Sequence, residues 1–186
     1  MALPTTSELH ERQGRPESWL IRIARTGLIA SLYVVITYSS SLLNLAYGPF
    51  QFRLSECLTL LPLIWSEAVM GVTIGTLLSN LASPYGVFDW IFGTLSTFIA
   101  VTIVHWLGSH GFSDWLAAIA VSITNALIVP FVLIFGASGM HALSQLGSAF
   151  WTVYLSYAGS IFVGEFSVTA ILGIPLFRTI KGRVLK

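Results

Sequence analysis

Residues 114–136 read DWLAAIAVSITNALIVPFVLIFG, and this apolar stretch decides the class of fold. Asp114 is the only charged residue among these 23 positions. A helix needs about 20 predominantly apolar residues to cross a bilayer. Residues 114–136 are therefore predicted to form a membrane-spanning helix.

The composition of the whole chain extends this interpretation. Of its 186 residues, 55% are hydrophobic and 9% are charged, and the mean hydropathy is +0.81. Soluble domains carry about 25% charged residues. The composition therefore predicts an all-α integral membrane protein of one compact domain. The single cysteine, Cys57, excludes an internal disulfide and a multi-cysteine metal site.

Six helices account for the apolar runs and the breaks between them. The second and third are short, so a re-entrant pair is an alternative to two full crossings, and either choice keeps the number of crossings even. The predicted organisation is a polar N-terminal segment at 1–19, a six-helix transmembrane domain at 20–177 and a basic tail at 178–186. The predicted helices cover residues 20–45, 55–66, 67–82, 88–107, 114–136 and 148–176.

Basic residues predict the orientation in the membrane. They cluster before or within the first turns of the first helix and after the last one, and Arg53 is the only basic residue between the clusters. Because Lys and Arg are retained on the cytoplasmic side, both termini are expected there, with Arg53 outside. The terminal clusters are Arg12, Arg15, Arg22 and Arg25, and Arg178, Lys181, Arg183 and Lys186.

Rare polar residues occur at membrane depth, mostly in the predicted outer half. Each ionisable group there costs roughly 2.5–3.5 kcal/mol, so such groups usually face a cavity or each other. A polar, outward-opening, substrate-binding pocket is therefore predicted from Arg53, Glu56, Asn80, Asp89, Asn125 and Glu165.

Each of these residues also has a simpler interpretation. Arg53 and Glu56 lie one helical turn apart and could form only a local ion pair. Asp89 could be an ordinary helix cap or interfacial residue, and Asn125, five residues before Pro130, could satisfy only helix contacts. Glu165 is the hardest to explain in this way, because no basic residue lies near it in the sequence.

The last predicted helix places aromatic side chains above Glu165. At 100° per residue, Trp151 and Tyr154 lie within about 40° of the Glu165 direction, so they are predicted to stack a flat heterocycle on its way to the carboxylate. An interfacial aromatic belt is the alternative.

Small residues spaced by four predict close contacts between helices. Gly71 and Gly75 favour packing within the bundle. The first helix carries two adjacent pairs, which make it the candidate docking face for an external partner. These pairs are Thr26 with Ala30 and Gly27 with Ser31.

Five sequence blocks resemble the QueT family of predicted substrate-binding (S) subunits of energy-coupling factor (ECF) transporters. The resemblance runs over about residues 22–177, and it departs from the family pattern at Cys57, where alanine is expected, and in the small-residue motif of the first helix. The blocks are YGPFQFRLSECLTLLP at 47–62, IGTLLSNL at 74–81, GVFDWIFGTLST at 86–97, ITNALIVP at 123–130 and GEFSVTAILGIPL at 164–176.

The resemblance implies a bacterial cell-membrane protein that is not an enzyme and holds no cofactor, metal or nucleic acid. It implies that the chain captures a queuosine precursor, a 7-deazaguanine such as queuine or its aminomethyl or cyano precursors. A transmembrane T subunit and two ATPases would then use ATP to drive release inward.

The sequence is also compatible with three other functions. One alternative is an S subunit for a different vitamin, and another is a membrane scaffold whose polar residues only hold the bundle together. A third is an intramembrane enzyme that uses Glu165 and Asp89 as acid and base, although the sequence contains no nucleophile–base pair or metal-ligand cluster.

Overall fold

The computed structural model describes residues 18–47, 52–138 and 147–184. The predicted turn at Gly48 and Pro49, much of the 136–147 loop and most of the 1–19 segment lie outside these residues. Helices dominate the described chain, and no strand occurs in it. They are α1 (Trp19–Leu42), a 3₁₀ helix (Leu54–Leu63), α2 (Glu67–Asn80), a first π segment (Asp89–Gly93), α3 (Thr94–Ser109), α4 (Asp114–Ser138), a single 3₁₀ turn (Gly147–Ala149), α5 (Phe150–Val168), a second π segment (Thr169–Gly173) and α6 (Ile174–Val184).

α1 and α2 run in the same direction, and the 3₁₀ helix that connects them runs in the opposite one. Arg25 near the start of α1 contacts Glu67 at the start of α2, with 2.7 Å between Nη1 and Oε1. At the far ends of the same two helices, the Tyr38 hydroxyl donates to the carbonyl of Leu78 at 3.5 Å. Ile180 of α6 and Trp65 pack against the same buried hydrophobic cluster. The Trp65 ring centroid lies 4.7 Å from Cζ of Arg25. The starts of α1 and α2 and the end of α6 therefore share one end of the bundle, here called the basic end.

The 3₁₀ helix runs through the middle of the bundle. Its first amide, of Leu54, donates to Ser40 Oγ at 3.3 Å near the end of α1, and its last turn reaches the basic end, where the Pro62 carbonyl lies 3.1 Å from His105 Nδ1. Leu60 belongs to one buried cluster, while Leu58 and Leu61 belong to another. This helix therefore joins the two largest parts of the core.

Close packing of α1 on α2 depends on glycine. A Cβ atom at Gly75 would lie 2.7 Å from Tyr33 Cβ and 3.0 Å from the Ala30 carbonyl oxygen. A Cβ at Gly71 would lie 3.0 Å from the Thr26 carbonyl oxygen. Real Cβ atoms essentially never approach within 2.7 Å, and an approach of 3.0 Å is unusually tight, so glycine at both positions lets the two backbones meet here.

The predicted architecture is confirmed: the chain is an all-α bundle of six helical passes, and the second and third are short. Four helical stretches are long and apolar enough to cross a membrane. The 3₁₀ helix and α2 have 10 and 14 residues, respectively. At about 2.0 and 1.5 Å per residue they extend about 20 Å each, against about 30 Å of hydrocarbon. The four long stretches are Trp19–Leu42, Asp89–Ser109, Asp114–Ala137 and Gly147–Arg183.

The last pass is longer than the predicted helix at 148–176. Helical structure continues from Phe150 through the second π segment to Val184, so residues 178–184 of the predicted tail are helical. Arg178 pairs with Asp114 at 2.6 Å between Nε and Oδ2, which fixes this extension against the start of α4.

Candidate ligand-binding site

A small polar cavity lies where the 3₁₀ helix meets the first π segment, α3, α4 and α5. Its volume is about 10 Å³, which is room for one water molecule. Six of its eight lining residues are polar, and all eight are buried. The lining residues are Arg53, Glu56, Asp89, Gly93, Thr97, Asn125, Val129 and Glu165.

Arg53 reaches the cavity from the residue before the 3₁₀ helix. Its Nε donates to the carbonyl of Ala46 at 3.4 Å, and its guanidinium lies 5.2 Å from the ring centroid of Tyr47. The Tyr47 hydroxyl in turn donates to the Ser79 carbonyl at 2.7 Å, and burial raises the pKa of this phenol. The end of α1, α2 and the Arg53 side chain are thus held together.

Glu56 lies in the first turn of the 3₁₀ helix and is 1% exposed. Its Oε1 accepts a 2.5 Å hydrogen bond from the hydroxyl of the fully buried Tyr33 on α1. Its Oε2 has no hydrogen-bond partner among the described residues. Beside it, the hydroxyls of Thr37 and Ser55 lie 2.7 Å apart and join the same two helices. Glu56 is therefore held by one oxygen and presents the other to the cavity.

The local ion pair considered for Arg53 and Glu56 does not form. Within the described residues, no Arg53 nitrogen lies within 4.0 Å of a Glu56 oxygen. Arg53 instead lines the same cavity as Asp89 and Glu56. The guanidinium therefore shares a cavity with two acids without a direct ion pair to either among the described residues.

Asp89 depends on a glycine four residues later. In the first π segment its carboxylate occupies the space that a Cβ atom at Gly93 would fill. Asn80 of α2 supports the same segment, since its Nδ2 donates to the Asp89 carbonyl at 3.0 Å. A π turn holds one residue more than an α-helical turn, and Gly93 has no side chain. Together these two features direct the Asp89 carboxylate toward the cavity.

Asn125 and Glu165 form the opposite wall. Ser96 Oγ donates to Asn125 Oδ1 at 2.8 Å, and Asn125 and Glu165 both line the cavity. Glu165 is 2% exposed, and its Oε2 has no hydrogen-bond partner among the described residues. This wall therefore combines side chains of α3, α4 and α5, and it leaves a carboxylate oxygen of Glu165 without a partner at the cavity.

Comparison with known proteins identifies the family. The sequence profile described as QueT transporter matches residues 23–182. The chain belongs to the QueT transporter family. It is also 29% identical over 150 residues to the protein named Queuosine precursor transporter QueT of Lactococcus lactis subsp. cremoris (strain MG1363), an alignment that covers 78% of this chain and 83% of that relative. No solved structure matches.

In this QueT family member, five of the eight predicted pocket residues line one cavity: Arg53, Glu56, Asp89, Asn125 and Glu165. Asn80 lies behind Asp89 rather than in the lining. Trp151 and Tyr154 are not among the lining residues: Trp151 is 63% exposed, and the Tyr154 hydroxyl donates to the Leu127 carbonyl at 2.8 Å. The structure thus brings the ionisable groups together and leaves the two aromatic residues apart from them.

Sequence reasoning missed the residues that orient the acids. Tyr33 holds Glu56, Ser96 holds Asn125, and Gly93 makes space for Asp89. The sequence contains a pattern that points to the role of Tyr33. Tyr33 and Thr37 recur at four-residue spacing on α1, which is a polar stripe typical of a buried helix face.

The docking pairs of this QueT family member differ in exposure. Ala30 is buried, and the backbone carbonyls of Thr26 and Ala30 pack against the α2 glycines. Gly27 and Ser31 are exposed, and a Cβ atom at Gly27 would meet nothing within 4 Å. Of the two pairs, Gly27 with Ser31 therefore presents an open small-residue surface.

At the basic end, Glu67 begins α2 and forms ion pairs with two arginines of α1. Its side chain is 9% exposed and pairs with Arg25 at 2.7 Å and with Arg22 at 3.8 Å. No three His, Cys, Asp or Glu residues are placed to hold a metal ion in the described ranges.

Proposed function

We propose that this QueT family member is the substrate-capturing subunit of an ATP-driven ECF-type importer, and that the cavity binds a queuosine precursor of the 7-deazaguanine class. The observation that carries the proposal is the convergence of Arg53, Glu56 and Glu165 on one buried cavity. The named function of the Lactococcus relative supports the choice of substrate.

The ligand chemistry fits this set of side chains. The pyrimidine edge of a deazaguanine offers adjacent N–H donors beside a carbonyl acceptor. A carboxylate accepts two N–H bonds, and a guanidinium donates to a carbonyl. Glu56 and Arg53 supply that pair of functions from one segment of chain, and the Glu56 carboxylate is already fixed by Tyr33.

Binding requires the cavity to widen. A volume of about 10 Å³ holds one water molecule, so a bicyclic base enters only when the lining side chains separate. The described state is consequently a closed one. Outward opening, with both termini in the cytoplasm, is the orientation that the terminal basic residues favour.

The exposed Gly27 and Ser31 pair is the proposed docking surface for the T subunit, which would link the chain to two ATPases. Small residues on a lipid-facing helix let a partner helix approach closely. The neighbouring exposed residues Leu28 and Leu32 would border that contact.

Leucine substitutions on this surface test the proposal. In cells that supply the T subunit and both ATPases, Gly27→Leu or Ser31→Leu should abolish precursor uptake, because the added side chain blocks close approach, while the purified variants keep wild-type ligand affinity. Gly159→Leu is the matched control, since Gly159 is an exposed glycine of α5 with nothing within 4 Å of its Cβ position. Unchanged uptake in both α1 variants would contradict the docking surface.

A further inference from the structure

The cavity carries an unbalanced charge. Its described lining contains three carboxylates, those of Glu56, Asp89 and Glu165, and one guanidinium, that of Arg53. All four side chains are at most 7% exposed. Buried charge without compensation is unfavourable, and buried acids are normally paired with a cation or hydrogen-bonded. The site therefore has a formal excess of two negative charges when its acids are ionised.

Two carboxylate oxygens in this cavity are without hydrogen-bond partners among the described residues, Oε2 of Glu56 and Oε2 of Glu165. The other oxygen of Glu56 accepts a hydrogen bond from the Tyr33 hydroxyl, and Glu165 lines the cavity together with Asn125. Both free oxygens are buried acceptors. A ligand that satisfies them must bring two separate sets of N–H donors.

The two acids differ in their electrostatic surroundings. Glu56 lies in the first turn of the 3₁₀ helix, and Arg53 is the residue that directly precedes this helix. Glu165 lies on α5, which carries no Lys or Arg. Of these two acids, Glu165 is therefore the one without a basic residue on or next to its own helix, and a cationic ligand group would make the larger difference to it.

We infer that the site selects 7-deazaguanines whose 7-substituent carries an ammonium group, and that Glu165 binds this ammonium while Glu56 and Arg53 bind the pyrimidine edge. The inference rests on the proposed function and goes beyond it by naming the charge of the ligand. A neutral 7-cyano base would satisfy Glu56 but would leave Glu165 facing an uncharged group.

Two ligands of similar size test the inference on the unmodified protein. Purified wild-type chain is titrated with 7-aminomethyl-7-deazaguanine, which is a cation at neutral pH, and with the neutral 7-cyano-7-deazaguanine. The aminomethyl base should bind about tenfold tighter or better, as expected for a buried charge-assisted contact. Equal affinities would overturn the inference and leave the proposed function standing, whereas binding of neither base would overturn both.

Glu165→Gln assigns the contact. It keeps the side-chain shape and removes the charge, so the ratio of the two affinities should fall towards one, chiefly through loss of aminomethyl binding. Glu56→Gln is the comparison, because it should weaken both ligands and leave their ratio near the wild-type value. A wild-type ratio in Glu165→Gln, in protein whose thermal unfolding shows it to be folded, would contradict the assignment.

Discussion

At the scale of single residues, the acids of the cavity are positioned by neighbours that carry no charge. The Tyr33 hydroxyl holds Glu56 at 2.5 Å and is itself 0% exposed. A phenol that donates to a buried carboxylate both satisfies one oxygen and fixes the direction of the other. The geometry of the acids therefore depends on α1 as much as on the 3₁₀ helix.

Tyr33→Phe tests this dependence. The change removes one hydrogen bond to a charged group and should lower the free energy of unfolding by about 1.5–3 kcal/mol while it weakens ligand binding. Thermal unfolding and ligand titration of the purified variant measure the two effects. Tyr38→Phe is the control on the same helix, since Tyr38 is 41% exposed and its hydroxyl contacts Leu78 only at 3.5 Å. Equal behaviour of the two variants would contradict the positioning role.

Gly93→Ala tests the placement of Asp89. A methyl group at residue 93 would occupy the position of the Asp89 carboxylate, so the carboxylate should be displaced and ligand affinity should fall. Gly159→Ala provides the matched control, because space is open around it and alanine is favoured over glycine in a helix by about 1 kcal/mol. If Gly93→Ala binds ligand as the wild type does, Asp89 has no role that depends on its present position.

At the scale of elements, the ends of most helices could be predicted from the sequence and the type of helix could not. Predicted helix 67–82 is observed as Glu67–Asn80, and predicted helix 114–136 as Asp114–Ser138. The apolar runs and the polar breaks set these ends. The apolar pattern does not distinguish the 3₁₀ geometry of Leu54–Leu63, in which ten residues extend about 20 Å, from an α-helix, in which they would extend about 15 Å.

Trp151 and Tyr154 show why direction around a helix did not identify the site. Both lie near the Glu165 direction in projection, but they are 14 and 11 residues away from it. At about 1.5 Å per residue, the axial separations are about 21 and 16 Å. Tyr154 packs instead against Phe131, with ring centroids 4.7 Å apart. The convergence of acids was predictable because each is costly on its own, whereas an aromatic residue is stable in lipid or in a core.

The 3₁₀ helix fits against α3 at a glycine, and Gly108→Ala tests that fit. A Cβ atom at Gly108 would lie 2.8 Å from both Cα and the carbonyl oxygen of Leu63. Because both atoms belong to the backbone, the substitution should destabilise the protein by about 1–3 kcal/mol, despite the helix preference of alanine. Thermal unfolding in detergent measures it, and an increase in stability like that expected for Gly159→Ala would show that the contact is not tight.

At the scale of the whole molecule, three functional regions lie in different parts of the bundle. The closed polar cavity lies inside, the Gly27 and Ser31 pair lies on the exposed face of α1, and the ion pairs of Glu67 and Asp114 lie at the basic end. Substitutions in the cavity are expected to change ligand binding, and those at Gly27 and Ser31 are expected to change transport. Both expectations depend on one central claim, that the cavity of the isolated chain binds a deazaguanine.

The most direct test of that claim is a titration of the purified chain, without partner subunits, with queuine and its aminomethyl and cyano precursors. Tryptophan fluorescence is the readout, since Trp90 follows Asp89 in the first π segment, and riboflavin and biotin are the controls. Saturable, sub-micromolar binding is expected for at least one deazaguanine and for neither of the control vitamins. Folded protein that responds to no deazaguanine would contradict it.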